Sequence, residues 1–434
     1  MRNHSDRSLA RACRTVLVSA SLVLSWSCHD ILQVELPGRI PTTLLNDPTT
    51  APTLAASVVA DFECAFSNYV TSTTILSDQF LGASGNLVAK NWGTKKILED
   101  DQSNERTGCN GSFGAYTPLQ TARFQANDIG ARLAGWTDAQ AKTPLAPLRA
   151  RVAAFGGYAY ALLGEGFCAM RFDLERQIRT PQAVLAIAEA KFDTALTLVN
   201  AMPTVTQSDS SLRDSLLNLV HAGRARVRLD RGDKAGAAAD AALVTPGFEY
   251  FVTRSVDADT RWNDAWYALS EQGHASVDPQ YRNLMVGTVP DPRVQVADSP
   301  TVILPKKAFD GVTDLWVVTN KNFSRADPMR LASSIESELI RAEASLGTTA
   351  VGIINARRTR LGLPNYTGPT DSASVTALIL DERNREFFME GGQRYNDLLR
   401  YNIPWKVGND QNGNAYGTTT CMPLPLDEQL AAGG

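Results

Sequence analysis

Paired segments between residues 146 and 362 restrict this chain to a mainly helical fold. Residues 146–168 are small and apolar nearly all round, which indicates a helix packed on several sides, and residues 182–200 carry one steady apolar face. A second pair is predicted at residues 216–243 and a third at residues 333–362. Successive helix-turn-helix units of this kind are typical of tetratricopeptide-like packing, in which neighbouring units bury each other's apolar faces.

Residues 248–325 differ from these pairs. They are rich in proline, aspartate and aromatic residues, and only short runs at residues 250–253 and 315–318 have β-type composition. We therefore expect a mainly α protein, in which tetratricopeptide-like helix pairs support a loop-rich ligand region with minor short β-strands.

The first 27 residues predict a lipoprotein signal peptide. Four arginines precede a mostly apolar run at residues 15–24, and a short segment of mostly small residues then leads to Cys28. The run is too short to span a membrane, which takes about 20 apolar residues. Because bacteria attach lipid to a cysteine that directly follows such a core, we expect Cys28 to be lipidated. Several acyl chains, at about 0.8 kcal/mol per buried methylene, would anchor the protein. The alternative is a secreted protein in which Cys28 only lies near the cleavage site.

The rest of the chain is expected to form a tether and one large domain. Residues 28–53 contain four prolines and little periodicity, which predicts an extended tether, and residues 54–434 are long enough for a substantial core. Four cysteines remain in that domain, an even number in a chain bound for an oxidising compartment. They allow three complete pairings, which the sequence does not distinguish: the residues are Cys64, Cys109, Cys168 and Cys421.

Composition and motifs exclude several classes of function. The formal net charge is −4 and no long basic run is present, so a nucleic-acid binder is not expected. No two of the four histidines have metal-ligand spacing, and we predict no metal site. The chain also lacks a phosphate-binding loop of the Walker type and a G-x-S-x-G nucleophile motif, so we expect no cofactor.

Several segments in a set order resemble the SusD/RagB family of surface nutrient-binding lipoproteins. They are Cys28-His29-Asp30, residues 114–128, residues 338–364, residues 382–400 and residues 421–425. The resemblance extends over nearly the whole mature chain and lies in the order and spacing of these segments. It implies an α-rich fold, an outward-facing position on the outer membrane, and a TonB-dependent transporter barrel that the protein caps like a lid. It also implies oligosaccharide or, in some members, peptide as cargo, bound without catalysis.

Capture of a sugar requires flat rings with polar neighbours, because the apolar face of a pyranose packs on aromatic side chains. In the family, loop aromatics form the sugar-binding arc, and Trp136, Trp316 and Trp405 rank below the others as candidates here. Six residues of this type lie in a Gly/Asn-rich segment or in the irregular region and are the predicted ligand-binding residues: Asn91, Trp92, Trp262, Trp266, Tyr267 and Tyr281. The alternative for any of these rings is a place in the core.

The charged segment at residues 382–400 has two interpretations. Glu382, Glu386 and Glu390 follow at i,i+4 spacing, which predicts that they share one helix face, with Arg394 and Arg400 as ion-pair partners. We expect a structural network there. The alternative is a glycoside hydrolase, in which two carboxyl groups face each other across the sugar bond. A non-catalytic scaffold lipoprotein built from helical repeats is a further alternative to the nutrient receptor.

Overall fold

The computed structural model describes residues 42–105, 108–109, 113–302 and 305–433. The predicted signal peptide, Cys28 and most of the predicted tether lie outside these residues. The chain divides into two compact units. The described part of the first, Met1–Asp47, is a short 3-10 helix at Thr42–Asn46. The second unit, Pro48–Gly434, contains the α-helices and β-strands of the described residues.

Fourteen α-helices in the described residues make the fold mainly α, as predicted. Their bounds are α1 Ala51–Leu76, α2 Leu87–Gly93, α3 Gln102–Glu105, α4 Tyr116–Gly135, α5 Asp138–Ala141, α6 Ala146–Gly166, α7 Pro181–Asn200, α8 Gln207–Asp230, α9 Lys234–Ala241, α10 Ser334–Ser345, α11 Gly347–Arg360, α12 Ser372–Glu386, α13 Gln393–Arg400 and α14 Leu426–Gly433. None of these helices has both the length and the hydropathy needed to cross a membrane.

The three predicted helix pairs are confirmed as α6–α7, α8–α9 and α10–α11, although α8 begins at Gln207, well before the predicted start at Leu216. Close approach within them depends on small residues. Gly223 of α8 lies against Phe192 of α7 and Tyr158 of α6, and a Cβ atom there would fall 2.5 Å from the Phe192 ring. The two rings meet edge to face with centroids 5.1 Å apart. These contacts hold three successive helices in one core.

Helix α1 was not predicted, and it begins inside the predicted tether. Pro52 stands in its first turn, where a proline costs no intrahelical hydrogen bond. The second half of α1 is buried on all sides, and its hydroxyls bond carbonyls one turn back, as Thr71 does to Ser67 at 2.9 Å. Asn68 donates an amide N–H to the Gly114 carbonyl 3.1 Å away and so fixes the start of α4. Helix α1 is therefore a central element of the core.

Eight short strands form four two-stranded antiparallel sheets among the described residues, which confirms the minor strands expected in the loop-rich region. They are β1 Phe80–Gly82 with β3 Ala275–Val277, β2 Glu249–Val252 with β8 Met329–Ser333, β4 Met285–Val286 with β5 Val289–Pro290, and β6 Val296–Asp298 with β7 Trp316–Val318. A π-helical segment at Ala265–Glu271 lies between β2 and β3.

Two disulfides join distant parts of the fold. Cys64 in α1 pairs with Cys109, with Cα atoms 5.5 Å apart. Cys168, just after α6, pairs with Cys421, with Cα atoms 5.2 Å apart. The Cys168 backbone N–H also donates to the Met422 carbonyl at 3.0 Å. The end of α6 and the segment before α14 are thus held together by both covalent and hydrogen bonds.

Candidate functional site

Glu382 lies in the core and faces no opening. One carboxylate oxygen accepts hydrogen bonds from Arg358 at 2.6 and 2.9 Å, and the other accepts one from Arg293 at 2.6 Å. All three side chains are buried. The predicted structural network therefore exists around Glu382, whereas an acid–base role toward a sugar is inconsistent with its burial.

The predicted shared helix face is confirmed for Glu382 and Glu386, which both lie in α12, but it is wrong for Glu390. Helix α12 ends at Glu386, and a turn with Met389 at a φ of 59° follows, so Glu390 does not continue the same helix face. Glu386 accepts hydrogen bonds from Arg357 and Arg330, and Glu390 accepts them from Arg330 and from a lysine. Burial raises the pKa of Glu386, but the two arginines outweigh it, so the pKa is lowered overall.

The partners predicted for these glutamates, Arg394 and Arg400, make no ion pair with them in the described part of the chain. Arg400 instead binds Glu343 at 2.9 Å and Asp397 at 2.9 Å. Because the chain turns between α12 and α13, the guanidinium of Arg400 points to α10 rather than back along α12.

Trp92 is wholly buried, and its predicted role in ligand binding is therefore wrong. Its ring lies 6.2 Å from that of Phe113, and its indole N–H donates to Ser103 at 3.1 Å. The segment is not an exposed loop but the short helix α2, which packs so closely that Gly93 meets Gly82 backbone to backbone. Asn91, beside it, is half-buried.

Two further predicted rings are also buried. The Tyr281 ring packs on Phe388 with centroids 4.6 Å apart, and its hydroxyl donates to Asn384 at 2.9 Å. Trp266 packs edge to face on Phe323 at 4.9 Å. Both side chains belong to the core of the loop-rich region, so the prediction that they contact a ligand directly is wrong.

The remaining two predicted rings meet at the surface. The centroids of Trp262 and Tyr267 are 4.7 Å apart, and both residues are half-buried. The guanidinium carbon of Arg325 lies 3.9 Å from the Trp262 centroid and 4.9 Å from that of Tyr267, within the range of cation–π attraction. Glu271 bonds the same guanidinium. We call these four residues the ring platform.

Local backbone structure positions the ring platform. The π-helical segment Ala265–Glu271 carries Tyr267 and Glu271, and such segments are frequent at functional sites. Asn263 joins this segment to the loop that carries Arg325. Its backbone N–H donates to the Arg325 carbonyl at 2.8 Å, and its side-chain amide donates to Asn322 at 2.8 Å.

The platform holds one fixed cation and one fixed anion. Arg325 Nε donates to Glu271 at 2.8 Å, and Trp266 Nε1 donates to the same carboxylate at 3.1 Å. Hydrogen bonding from Arg325 lowers the pKa of Glu271, and the reverse interaction raises the pKa of Arg325. Both groups are therefore charged at neutral pH. In the described residues no cluster of His, Cys, Asp and Glu could hold a metal ion.

Sequence reasoning identified the rings of the platform but not its charged members. Glu271 and Arg325 stand 54 residues apart in the chain, and no local pattern joins them. The fold and the platform together define a mainly helical protein with tetratricopeptide-like helix pairs, whose loop-rich region carries two aromatic rings at its surface.

Comparison with known proteins agrees with this fold. The model of the SusD family matches residues 247–421. No curated protein sequence matches the chain. Among solved structures, a SusD superfamily protein of Bacteroides vulgatus aligns at 15% identity with a TM-score of 0.65, covering 89% of this chain and 97% of that one. Surface glycan-binding protein A of Bacteroides thetaiotaomicron, in complex with laminarihexaose, aligns at 15% identity with a TM-score of 0.62, covering 88% and 97%. The predicted resemblance to the SusD/RagB family is confirmed.

Proposed function

We propose that this protein binds an oligosaccharide, or another oligomeric nutrient, at the cell surface and delivers it to a TonB-dependent outer-membrane transporter. The observation that carries the proposal is the ring platform: Trp262 and Tyr267 offer stacking surface, and Arg325 and Glu271 offer a donor and an acceptor for hydroxyls. The solved structure of a SusD-like relative with laminarihexaose supports glycan as the ligand class.

The arrangement of carboxylates favours binding without catalysis. Glycoside hydrolysis usually takes two carboxyl groups about 5–10 Å apart across the sugar bond. Glu271 is engaged by Arg325, and Glu382 and Glu386 are buried in ion pairs. We therefore propose a receptor rather than a hydrolase.

The proposed location follows from the N-terminal sequence and from the family. A lipidated Cys28 would hold the protein on the outer membrane, facing the exterior, where it would cap its transporter. Replacing Cys28 with serine should release the protein from the membrane fraction, and the wild type should retain a barrel partner in pull-downs from native cells. A scaffold lipoprotein would be anchored in the same way but would bind no glycan.

Ligand titration tests the binding step. Calorimetry with laminarihexaose and a panel of other neutral oligosaccharides should identify a ligand for the wild type. Trp262→Ala or Tyr267→Ala should then weaken binding at least about tenfold, since burying an aromatic side chain contributes about 1.5–3 kcal/mol. Trp136→Ala, at the end of α4, is the matched control and should bind like the wild type. Release of shortened sugars would contradict the proposal, as would unchanged affinity in both platform variants.

A further inference from the structure

We infer that a second saccharide site lies in a cleft between α4, the loop after α6 and α14, which shares no residue with the ring platform. The inference rests on the proposed function in that both sites take glycans. The cleft has a volume of about 480 Å³, which is in the range of small-molecule binding sites. Its main lining residues are Gln120, Arg123, Phe124, Arg171, Asp173 and Glu428.

A buried arginine forms one half of the cleft floor. Arg123, with 4% of its side chain exposed, donates two hydrogen bonds to Asp173, at 2.9 and 3.1 Å. Its Nε donates to Gln120 at 2.8 Å, and the Gln120 amide in turn donates to the Arg171 carbonyl at 2.9 Å. The guanidinium carbon lies 4.9 Å from the centroid of the Phe172 ring. Arg123 therefore has one fixed orientation.

A second arginine forms the other half. Arg171 is buried, and it donates to Glu428 of α14 at 2.5 Å and to the Glu175 carbonyl at 2.6 Å. In both pairs the arginine is buried and the carboxylate reaches the opening, with 50% of the Asp173 side chain exposed. The cleft thus presents two carboxylates, each held by a donor behind it.

An aromatic ring completes the cleft. Phe124 follows Arg123 on α4 and is 51% exposed, which is unusual for a phenylalanine beside so polar a floor. An exposed ring next to fixed donors and acceptors is the combination that sugar recognition needs. The apolar face of a pyranose can pack on the ring while its hydroxyls reach the polar groups.

The charges of the cleft favour a neutral ligand with adjacent hydroxyls. A sugar hydroxyl can donate to Asp173 and accept from a guanidinium at the same time, and two neighbouring hydroxyls fit a bidentate pair. The lining also includes Glu105, so carboxylates outnumber guanidinium groups by three to two. A carboxylate or sulfate on the ligand would be repelled.

The two walls of the cleft are tied together before any ligand binds. Arg171 comes shortly after Cys168 and Glu428 shortly after Cys421, and these cysteines form a disulfide. Phe167 and Met422 also form a parallel bridge beside it. Walls fixed in this way lose little conformational freedom on binding, which favours affinity.

The test uses the full mature chain and the probe laminarihexaose, with neutral gluco-, manno- and xylo-oligosaccharides as a panel. Calorimetry and saturation-transfer NMR should show two classes of site in the wild type. In the Trp262→Ala background the remaining binding should fall about tenfold on Phe124→Ala, and also on Asp173→Asn, which leaves Arg123 a hydrogen-bond acceptor. Leu174→Ala, a change to an exposed side chain beside the cleft, is the matched control. Circular dichroism confirms folding of each variant.

The outcomes separate the two proposals. If Trp262→Ala abolishes all binding, or if Phe124→Ala and Asp173→Asn bind like the Leu174→Ala control, the cleft is not a saccharide site and the ring platform stands alone. If only the cleft variants lose binding, the cleft is supported and the platform is overturned. If no oligosaccharide of the panel binds the wild type, both proposals are contradicted.

Discussion

At the scale of single residues, this protein depends on buried ion pairs that join different helices. Arg226 of α8 binds Glu336 of α10 at 2.6 Å, and Arg383 of α12 binds Asp397 of α13 at 2.8 Å. Removing two such charges from water costs about as much as their attraction returns, so the pairs contribute little net stability. Breaking one member is different, because it leaves an uncompensated charge in the core.

Substitutions of Glu382 and of its sequence neighbour Asp381 test whether breaking a buried ion pair costs more than breaking an exposed one. Glu382→Gln should lower the free energy of unfolding by about 3–5 kcal/mol, since Arg358 loses its charged partner and Arg293 loses one of two. Asp381→Asn removes an exposed pair with Arg385 and should change the free energy of unfolding by less than about 1 kcal/mol. Urea unfolding followed by circular dichroism measures both. Equal effects of the two substitutions would show that burial does not control the energetics here.

The ion-pair partners of these glutamates could not be predicted from the sequence. The i,i+4 spacing of the glutamates indicated a structural network, but the partners Arg293 and Arg358 come from other segments and have no local signal. The burial of the tryptophan rings could not be predicted from local sequence either. Trp262 and Trp92 have similar surroundings in the sequence, yet one lies at the surface and the other in the core, because exposure is decided by what packs on a residue from elsewhere in the chain.

At the scale of elements, periodicity predicted helices that have one apolar face, such as α7, and missed α1, whose second half has none. Helix α7 repeats apolar residues on a single side, and its bounds were predicted to within a residue. Helix α1 is buried all round in its second half, so its sequence alternates threonine, serine and apolar residues without a period of 3.6. A pattern based on contrast between two faces does not indicate such a helix. Helix α6, which is also buried nearly all round, was predicted from its small and apolar composition instead.

Two glycines inside helices should respond oppositely to the same substitution. Gly223→Ala would place a Cβ atom 2.5 Å from Phe192 and 2.8 Å from Tyr158, and should destabilise the protein by about 1–3 kcal/mol through overpacking. Gly352→Ala, in α11, meets no atom within 4 Å and should stabilise it by about 0.5–1 kcal/mol through helix propensity. Thermal unfolding compares the two. A stabilising Gly223→Ala would mean that the α7–α8 contact is looser than the structure has it.

At the scale of the whole molecule, one buried cluster joins four helices. Arg400 of α13 binds Glu343 of α10, Asp397 of its own helix and Asp230 of α8, and Arg383 of α12 binds Asp397 from the other side. Burial raises the pKa of Glu343, but Arg400 and Arg383 outweigh it and lower that pKa to about 2. The charge state of Glu343 is thus coupled to the packing of the helical core.

This coupling predicts how stability depends on pH. The folded pKa of Glu343 lies below its usual value near 4.5, so its contribution of about 3 kcal/mol is complete above pH 4.5 and is lost as the pH falls toward 2. Glu343→Gln should therefore destabilise the protein at pH 7 and cost little near pH 2. Glu338→Gln, on the same helix but in an exposed pair with Arg360, should cost little at either pH. Urea midpoints across this range test it; a pH-independent cost of Glu343→Gln would refute the coupling.

The overall fold could be predicted from the sequence, whereas the conformations of the loops could not. Three helix pairs and the order of several short segments were enough to indicate a SusD-like fold, and the comparisons agree. The ring platform depends on a π-helical segment and on Asn263, which fixes the Arg325 loop. Their positions follow from contacts across the whole chain, which no local window of sequence contains.

The disulfide between Cys168 and Cys421 determines what proteolytic cleavage would produce. It closes a ring of chain that includes every residue from the end of α6 to the segment before α14, and both proposed sugar-binding surfaces draw residues from that ring. A protease that cuts one exposed loop inside the ring would open it without yielding two separate fragments. The cleaved protein would remain one covalent body until a reductant severed the bridge.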